Sequence, residues 1–465
     1  MVVSQPTALG SGPVTLDLTQ IAVGTATHTA RPLEFNITGG GVVPNAIILP
    51  GAGMTNVSLH GRNATSIYTL AGKLSGGHAF LTNWFDNATG NVGVTRLSNP
   101  ANDFLSGRIY VNRGTLALTA DGALGNSANF LNQAANTTVR FDAPGFNLAH
   151  GISATANPTY LDMFGDNDGN GVPETAHNVT VSGLISGAGA IFPRGTNGTM
   201  TLTGNNPFTG GFELQPPLTL QVAAAANLGP SAYVAVKAGS TFRYTGTGSE
   251  TMTRALWMDS LNGGTLAGNG TINGPTTVQV GGILAPGVGG IGLLTLPNAL
   301  NLGGSAVMEL NQAGNTNDSI VSVSSINYGG SLVVNNLGGT LLAGDTFKLF
   351  TAWAYFGSFA STTLPTLTAG LAWDTTGLLV DGTIKVVSVA PPALAGAAVL
   401  PDGNFQLTLT GTVGQGYKIL ASSDVAAPLN TWTVLQTGTL PTATYQYTDL
   451  TATNYAYRFY ATSTP

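Results

Sequence analysis

The chain has 465 residues, no cysteine and 64 glycines, about twice the usual glycine share. Charged residues make up 8% where about 25% is usual, yet the hydrophobic share of 43% is ordinary, so a large core can form around a polar complement of Thr, Asn, Ser and Gly. Fifteen basic against 21 acidic residues, net −6, argue against nucleic acid and against an anionic membrane surface, both of which require clusters of Lys or Arg.

No apolar run reaches the roughly 18 residues of a spanning helix; the nearest, 386–400, is interrupted by Pro391-Pro392. Met1 to Gly10 has neither the basic nor the apolar segment of a signal peptide, so export implies either that this numbering begins after processing or that the chain is a fragment. Ala8-Leu9-Gly10 and the strand-like Val14-Thr15-Leu16-Asp17-Leu18 are a partial copy of a unit that recurs further on. Phe104-Leu105-Ser106-Gly107, Thr115-Leu116-Ala117-Leu118 and Ala123-Leu124-Gly125 match Phe208-Thr209-Gly210-Gly211, Thr219-Leu220-Gln221-Val222 and Asn227-Leu228-Gly229 at a fixed offset of 104 residues. After a one-residue slip, Thr138-Val139-Arg140-Phe141 matches Thr241-Phe242-Arg243-Tyr244. Gly263-Gly264-Thr265-Leu266, Gly281-Gly282-Ile283-Leu284 and Gly338-Gly339-Thr340-Leu341 repeat a glycine pair and a strand start.

Each unit is a short strand of alternating apolar and Thr/Asn residues closed by a Gly/Asn turn. Alone it cannot bury its apolar side, so stacked copies must share one continuous core. Strands about 4.8 Å apart place like residues above like. Thr and Asn then form ladders, whereas charged ladders would repel, which accounts for the scarcity of charge. A parallel β-solenoid over 1–388 is predicted; several β-sandwiches are the alternative. Residues 389–398, around Pro391-Pro392, read as a linker, and 399–465 as a small β-sandwich of Ig or fibronectin type, with strands at Phe405-Gln406-Leu407-Thr408-Leu409, Tyr417-Lys418-Ile419, Trp432-Thr433-Val434, Tyr445-Gln446-Tyr447 and Arg458-Phe459-Tyr460.

Thr201-Leu202-Thr203-Gly204-Asn205-Asn206-Pro207-Phe208-Thr209-Gly210-Gly211, Val181 to Gly189 and Gly263 to Pro286 resemble the autotransporter-associated β-strand repeat, clearest over 90–385. The resemblance implies a right-handed solenoid in an exported, surface-exposed passenger that serves as stalk, adhesin or matrix component. The C-terminal segment is similar to modules that follow such repeats in exported bacterial proteins and serve attachment or sorting.

The sharpest local motif is Asp166-Asn167-Asp168-Gly169-Asn170-Gly171 with Glu174. Asp166, Asp168 and Asn170 occupy positions 1, 3 and 5 of a calcium loop, Gly171 position 6 and Glu174 position 9. Position 12 is His177 rather than Glu, and a polar loop whose Asp and Asn make turns is the alternative. No other cofactor is expected. Gly287-Val288-Gly289-Gly290-Ile291-Gly292 spells G-x-G-x-x-G, but Leu293-Leu294-Thr295-Leu296 after it reads as a strand, where a dinucleotide site needs a helix.

The five histidines are scattered, and the one dense acidic patch is Asp162, Asp166, Asp168 and Glu174, so no residue is assigned a catalytic role. The function expected is that of a non-enzymatic extracellular structural protein that self-associates into a fibre or layer. The alternatives are a glycan-binding surface protein using Trp353, Trp373 or Trp432, and a solenoid polysaccharide-degrading enzyme.

Overall fold

The computed structural model describes all residues except 1, 6, 16–32, 36–38, 50–55, 62–66, 78–81, 88–92, 106, 166–174, 196, 231–232, 247–250, 253–254, 259–262, 274–275, 323, 369 and 465. They form two units: Met1–Glu309, Asn317–Asn335 and Leu349–Thr363 make the first, and Leu310–Thr316, Asn336–Lys348 and Leu364–Pro465 the second. No helix among the described residues is long and apolar enough to cross a membrane.

The first unit is a parallel β-solenoid, and the chain's coils make about nine turns. Its stacked faces include sheets of 8, 11 and 15 strands. Thr115 pairs with Thr138, and Thr138 with Tyr160, so a turn takes 22–23 residues here. Alternation within strands sorts side chains inward and outward, as Gly198–Leu202 and Leu218–Val222 show. In the 15-stranded sheet Met200, Leu220, Phe242, Leu266 and Leu284 stack in register as an interior column, all fully buried. Beside it Thr199, Thr219, Thr241 and Thr265 form an outer threonine ladder. Each buried Leu or Phe contributes about 1.5–3 kcal/mol.

Corners are held by buried asparagines. Asn102 accepts from Leu74 N (2.8 Å) on the preceding turn and donates to Ala123 O (2.8 Å) on the following one. Asn206 likewise accepts from Ile185 N (2.8 Å) and donates to Asn227 O, while Asn129 reaches Phe104 O, Leu124 O and Gly107 N. A neutral amide thus satisfies backbone groups that the corner takes out of the ladders. Gly183 shows why the corner excludes a side chain: a Cβ there would overlap the carbonyl oxygen of His150 one turn below.

The 104-residue offset relates corners rather than faces. Thr115–Leu118 belongs to the 11-stranded sheet, whereas its counterpart Leu218–Val222 belongs to the 15-stranded one. In both places a 3-10 segment follows, Asp121–Leu124 and Ala225–Asn227. The register steps between the copies run 23, 22, 32 and 21 residues, which do not sum to 104, so the copy carries the same strand-and-corner pattern to a different side.

The second unit is antiparallel in its named sheets. Thr346–Lys348, Thr383–Ser388 and Leu371–Asp374 form one sheet. Two more, Ala393–Val399 with Phe405–Thr410 and Thr444–Asp449, and Thr433–Thr439 with Gly416–Ser422 and Phe459–Ser463, share a core of Leu407, Leu409, Tyr417, Ile419 and Leu440. The stretch 389–398, read as a linker, therefore contains most of a strand. Ala393–Val399 follows Pro391-Pro392 directly and pairs with Phe405–Thr410. Residues 364–388 likewise belong to this unit rather than to the solenoid.

Candidate functional site

The calcium-loop residues Asp166, Asp168, Asn170 and Glu174 lie outside the described residues. The two strands that flank them, Phe164–Gly165 and Thr175–Ala176, pair antiparallel. His177 just beyond is buried, and its Nε2 has no hydrogen-bond partner. Among the described residues no group of three or more His, Cys, Asp or Glu could hold a metal ion. The fourth acid of that patch, Asp162, is elsewhere engaged: its Oδ2 lies 3.2 Å from Arg194 Nε.

Asp162 belongs to a charged column on the 11-stranded sheet, in which Arg96, Ala117, Arg140, Asp162 and Arg194 stand in register. Arg140 donates to both oxygens of Asp142 (2.6 and 2.9 Å), and Arg96 Nε lies 3.2 Å from Asp142 Oδ2. Arg194 adds a bond to Thr138 Oγ1 (3.0 Å) and lays its guanidinium 4.2 Å from the Tyr160 ring centroid. Arg96, Arg140, Asp142 and Asp162 are all buried. Sequence reading missed this column; its signal is an Arg near the end of three strands, Val94–Leu97, Thr137–Phe141 and Ile191–Arg194.

The three tryptophans divide. Trp353 is 90% exposed. Trp373 packs on Phe347 and donates its indole N–H to Pro365 O (2.9 Å), and Trp432, buried, donates to Ala427 O (2.8 Å). Neither of these two offers an open ring face of the kind a sugar platform needs.

His150 is the described histidine with a titrating partner. Burial lowers its pKa, but the hydrogen bond that its Nδ1 donates to Asp121 Oδ1 (2.8 Å) and that carboxylate's charge outweigh this and raise it overall. Asp121 also accepts from the backbone N–H groups of Ala149 and His150, and its own pKa is lowered despite burial.

The G-x-G-x-x-G stretch leads into the strand Leu293–Thr295, so no helix N-terminus is presented to a pyrophosphate. Its last residues instead help to form an open groove of about 810 Å³. Gly246, Gly270 and Gly292 lie along it, with Thr271 in register with Thr295 and Leu293 with Ser319. A side chain at Gly270 would meet the Tyr244 ring at 2.7 Å, and one at Gly292 would overlap the Gly287 nitrogen, so packing itself keeps these positions bare. Directly behind Gly292 is Asp318, fully buried, whose Oδ1 accepts from Gly292 N (2.6 Å) and Oδ2 from Glu309 N (2.7 Å). Burial pushes the Asp318 carboxyl up to about 7, the two N–H donors opposing and the Glu309 charge adding to the rise.

The sequence matches no protein-family model and none of the curated proteins it was compared with.

Proposed function

We propose that this chain is a non-enzymatic structural component of an extracellular surface, a stalk, fibre or matrix protein whose copies associate through the ends or faces of the solenoid. The observation that supports it most is the last rung of the first unit. Ala354–Gly357 and Ser361–Thr363 end their sheets, each pairing on one side only among the described strands. Ser361–Thr363 is exposed along its whole length, as are Phe356 and Trp353. Unpaired strand edges are templates for a further strand, and these carry no charge to repel one. The second unit, in the same reading, is an Ig-like module for attachment or sorting.

Sedimentation and negative-stain electron microscopy over a range of protein concentrations test this. Filaments, sheets or growth with concentration are expected, and a monomer that persists at high concentration overturns the reading. Repeating the experiment with a chelator tests calcium at Asp166–Glu174, whose expected signature is loss of assembly. A surface adhesin that holds glycans is the second reading, favoured by the fully open indole of Trp353.

A further inference from the structure

The groove beside Leu293–Thr295 has a chemistry that the assembly reading does not use. Its volume lies within the roughly 300–1,000 Å³ of small-ligand sites. No charged residue is found among the described residues that line it. The nearby Asp318 is fully buried, with both oxygens committed to backbone N–H groups, so it shapes the floor rather than meeting a ligand. The lining offers hydroxyls from Thr271, Thr295 and Ser319 and amides from Asn269 and Asn317. Beside these polar groups runs an apolar strip of Ile291 and Leu293, the latter 48% exposed.

Thr271 and Thr295 stand in register on adjacent strands, about 4.8 Å apart, close to the length of one pyranose residue, and Ser319 on the next strand is in register with Leu293. The backbone of the floor is fixed from two sides, with Gly292 N donating to Asp318 and Leu293 N to Asn269 Oδ1 (2.9 Å). A ligand here meets donors already in place and does not have to order them. A peptide would look for unpaired backbone, but on this face the strands spend theirs on one another in parallel ladders.

We propose that this groove binds a neutral oligosaccharide, its ring C–H face on Ile291 and Leu293 and its hydroxyls on Thr271, Thr295 and Ser319. The lack of charge among the described lining residues selects against uronic acids and sulfated sugars, which would lose hydration without gaining a counter-charge.

Isothermal titration of the whole chain with neutral tetrasaccharides of glucose, N-acetylglucosamine and mannose, and with tetragalacturonate as the charged control, tests it. Saturable binding of at least one neutral sugar is expected. Thr295→Tyr, which fills the groove, should weaken binding about tenfold or more, and Thr180→Tyr, several turns away on the solenoid, should leave it unchanged. If circular dichroism shows Thr295→Tyr misfolded, Leu293→Asp at the exposed rim replaces it, with the same loss expected. Absence of binding by every neutral sugar, binding of tetragalacturonate alone, or binding indifferent to the groove variants overturns the proposal. Binding by a protein that stays monomeric keeps it and removes the assembly reading, so the two fail separately.

Discussion

The two units solve the same problem, buried polar groups, in different ways. The solenoid uses neutral asparagine at its corners, turn after turn, as at Asn102, Asn129 and Asn206. The second unit uses one charged hub. Asp449, buried, accepts from Thr451 N and Oγ1, from Arg458 Nη1 (2.6 Å) and from Tyr460 OH (3.0 Å), while Arg458 stacks 4.1 Å from the Tyr455 ring centroid. Repetition explains the difference. A group copied at every turn lies about 4.8 Å from its own image, and like charges at that distance repel strongly. Where the solenoid does carry charge in a column, it breaks the repeat: Ala117 separates Arg96 from Arg140, and Asp162 separates Arg140 from Arg194.

The largest effects should come from removing the anion at either hub. Asp449→Ala leaves Arg458 buried without its carboxylate, and Asp142→Ala does the same to Arg96 and Arg140. Each should cost about 3–5 kcal/mol, read by urea denaturation. If Asp142→Ala proves as mild as a surface change, charge in the column contributes little, and the contrast between the units fails. Asn206→Ala comes next, at about 2–3 kcal/mol, since it strands backbone groups of two turns; Asn206→Asp should rescue only the acceptor half.

The Asp121–His150 pair gives a smaller, pH-dependent effect. The raised His150 pKa contributes stability fully present below its ordinary 6.5 and lost as pH rises through the folded value. The lowered Asp121 pKa contributes stability present above 3.8 and lost as pH falls. Melting temperature against pH should therefore show a maximum between these limits that Asp121→Asn flattens. Asp318 has the opposite sign to Asp121: its folded value of about 7 means that stability is greatest below about 4 and declines as pH rises toward 7. The smallest change should be Thr219→Val on the outer ladder, within about 0.5 kcal/mol, because its neighbours above and below are other threonines rather than the core.

These contrasts track what could be read from the sequence. Interior columns were legible because period-two alternation at Thr199–Leu202 or Thr219–Val222 leaves one set of residues for the core. Two glycine pairs lead into strands as read, Gly263-Gly264 before Thr265–Ile272 and Gly281-Gly282 before Ile283–Pro286, whereas no strand starts at Thr340-Leu341 after Gly338-Gly339. The Arg458-Phe459-Tyr460 stretch was read as a strand, but its partner Asp449 lies on another strand and no spacing connects them. The groove was equally hidden. It is made of bare positions on several turns whose separation varies, and one of its glycines ends a motif that spells something else. Lone residues such as Asp318 carry no periodic signature at all.

The mismatch between the 104-residue copy and the register steps of the turns it spans has a geometric consequence. The solenoid behaves as a screw whose pitch and sequence repeat are incommensurate. Adding or deleting one such segment changes the rod's length and also its azimuth, because whatever follows is swung from one side to the next. Length and heading are thus coupled in this architecture, and a surface displayed beyond the inserted segment can be re-aimed without altering a single residue within it.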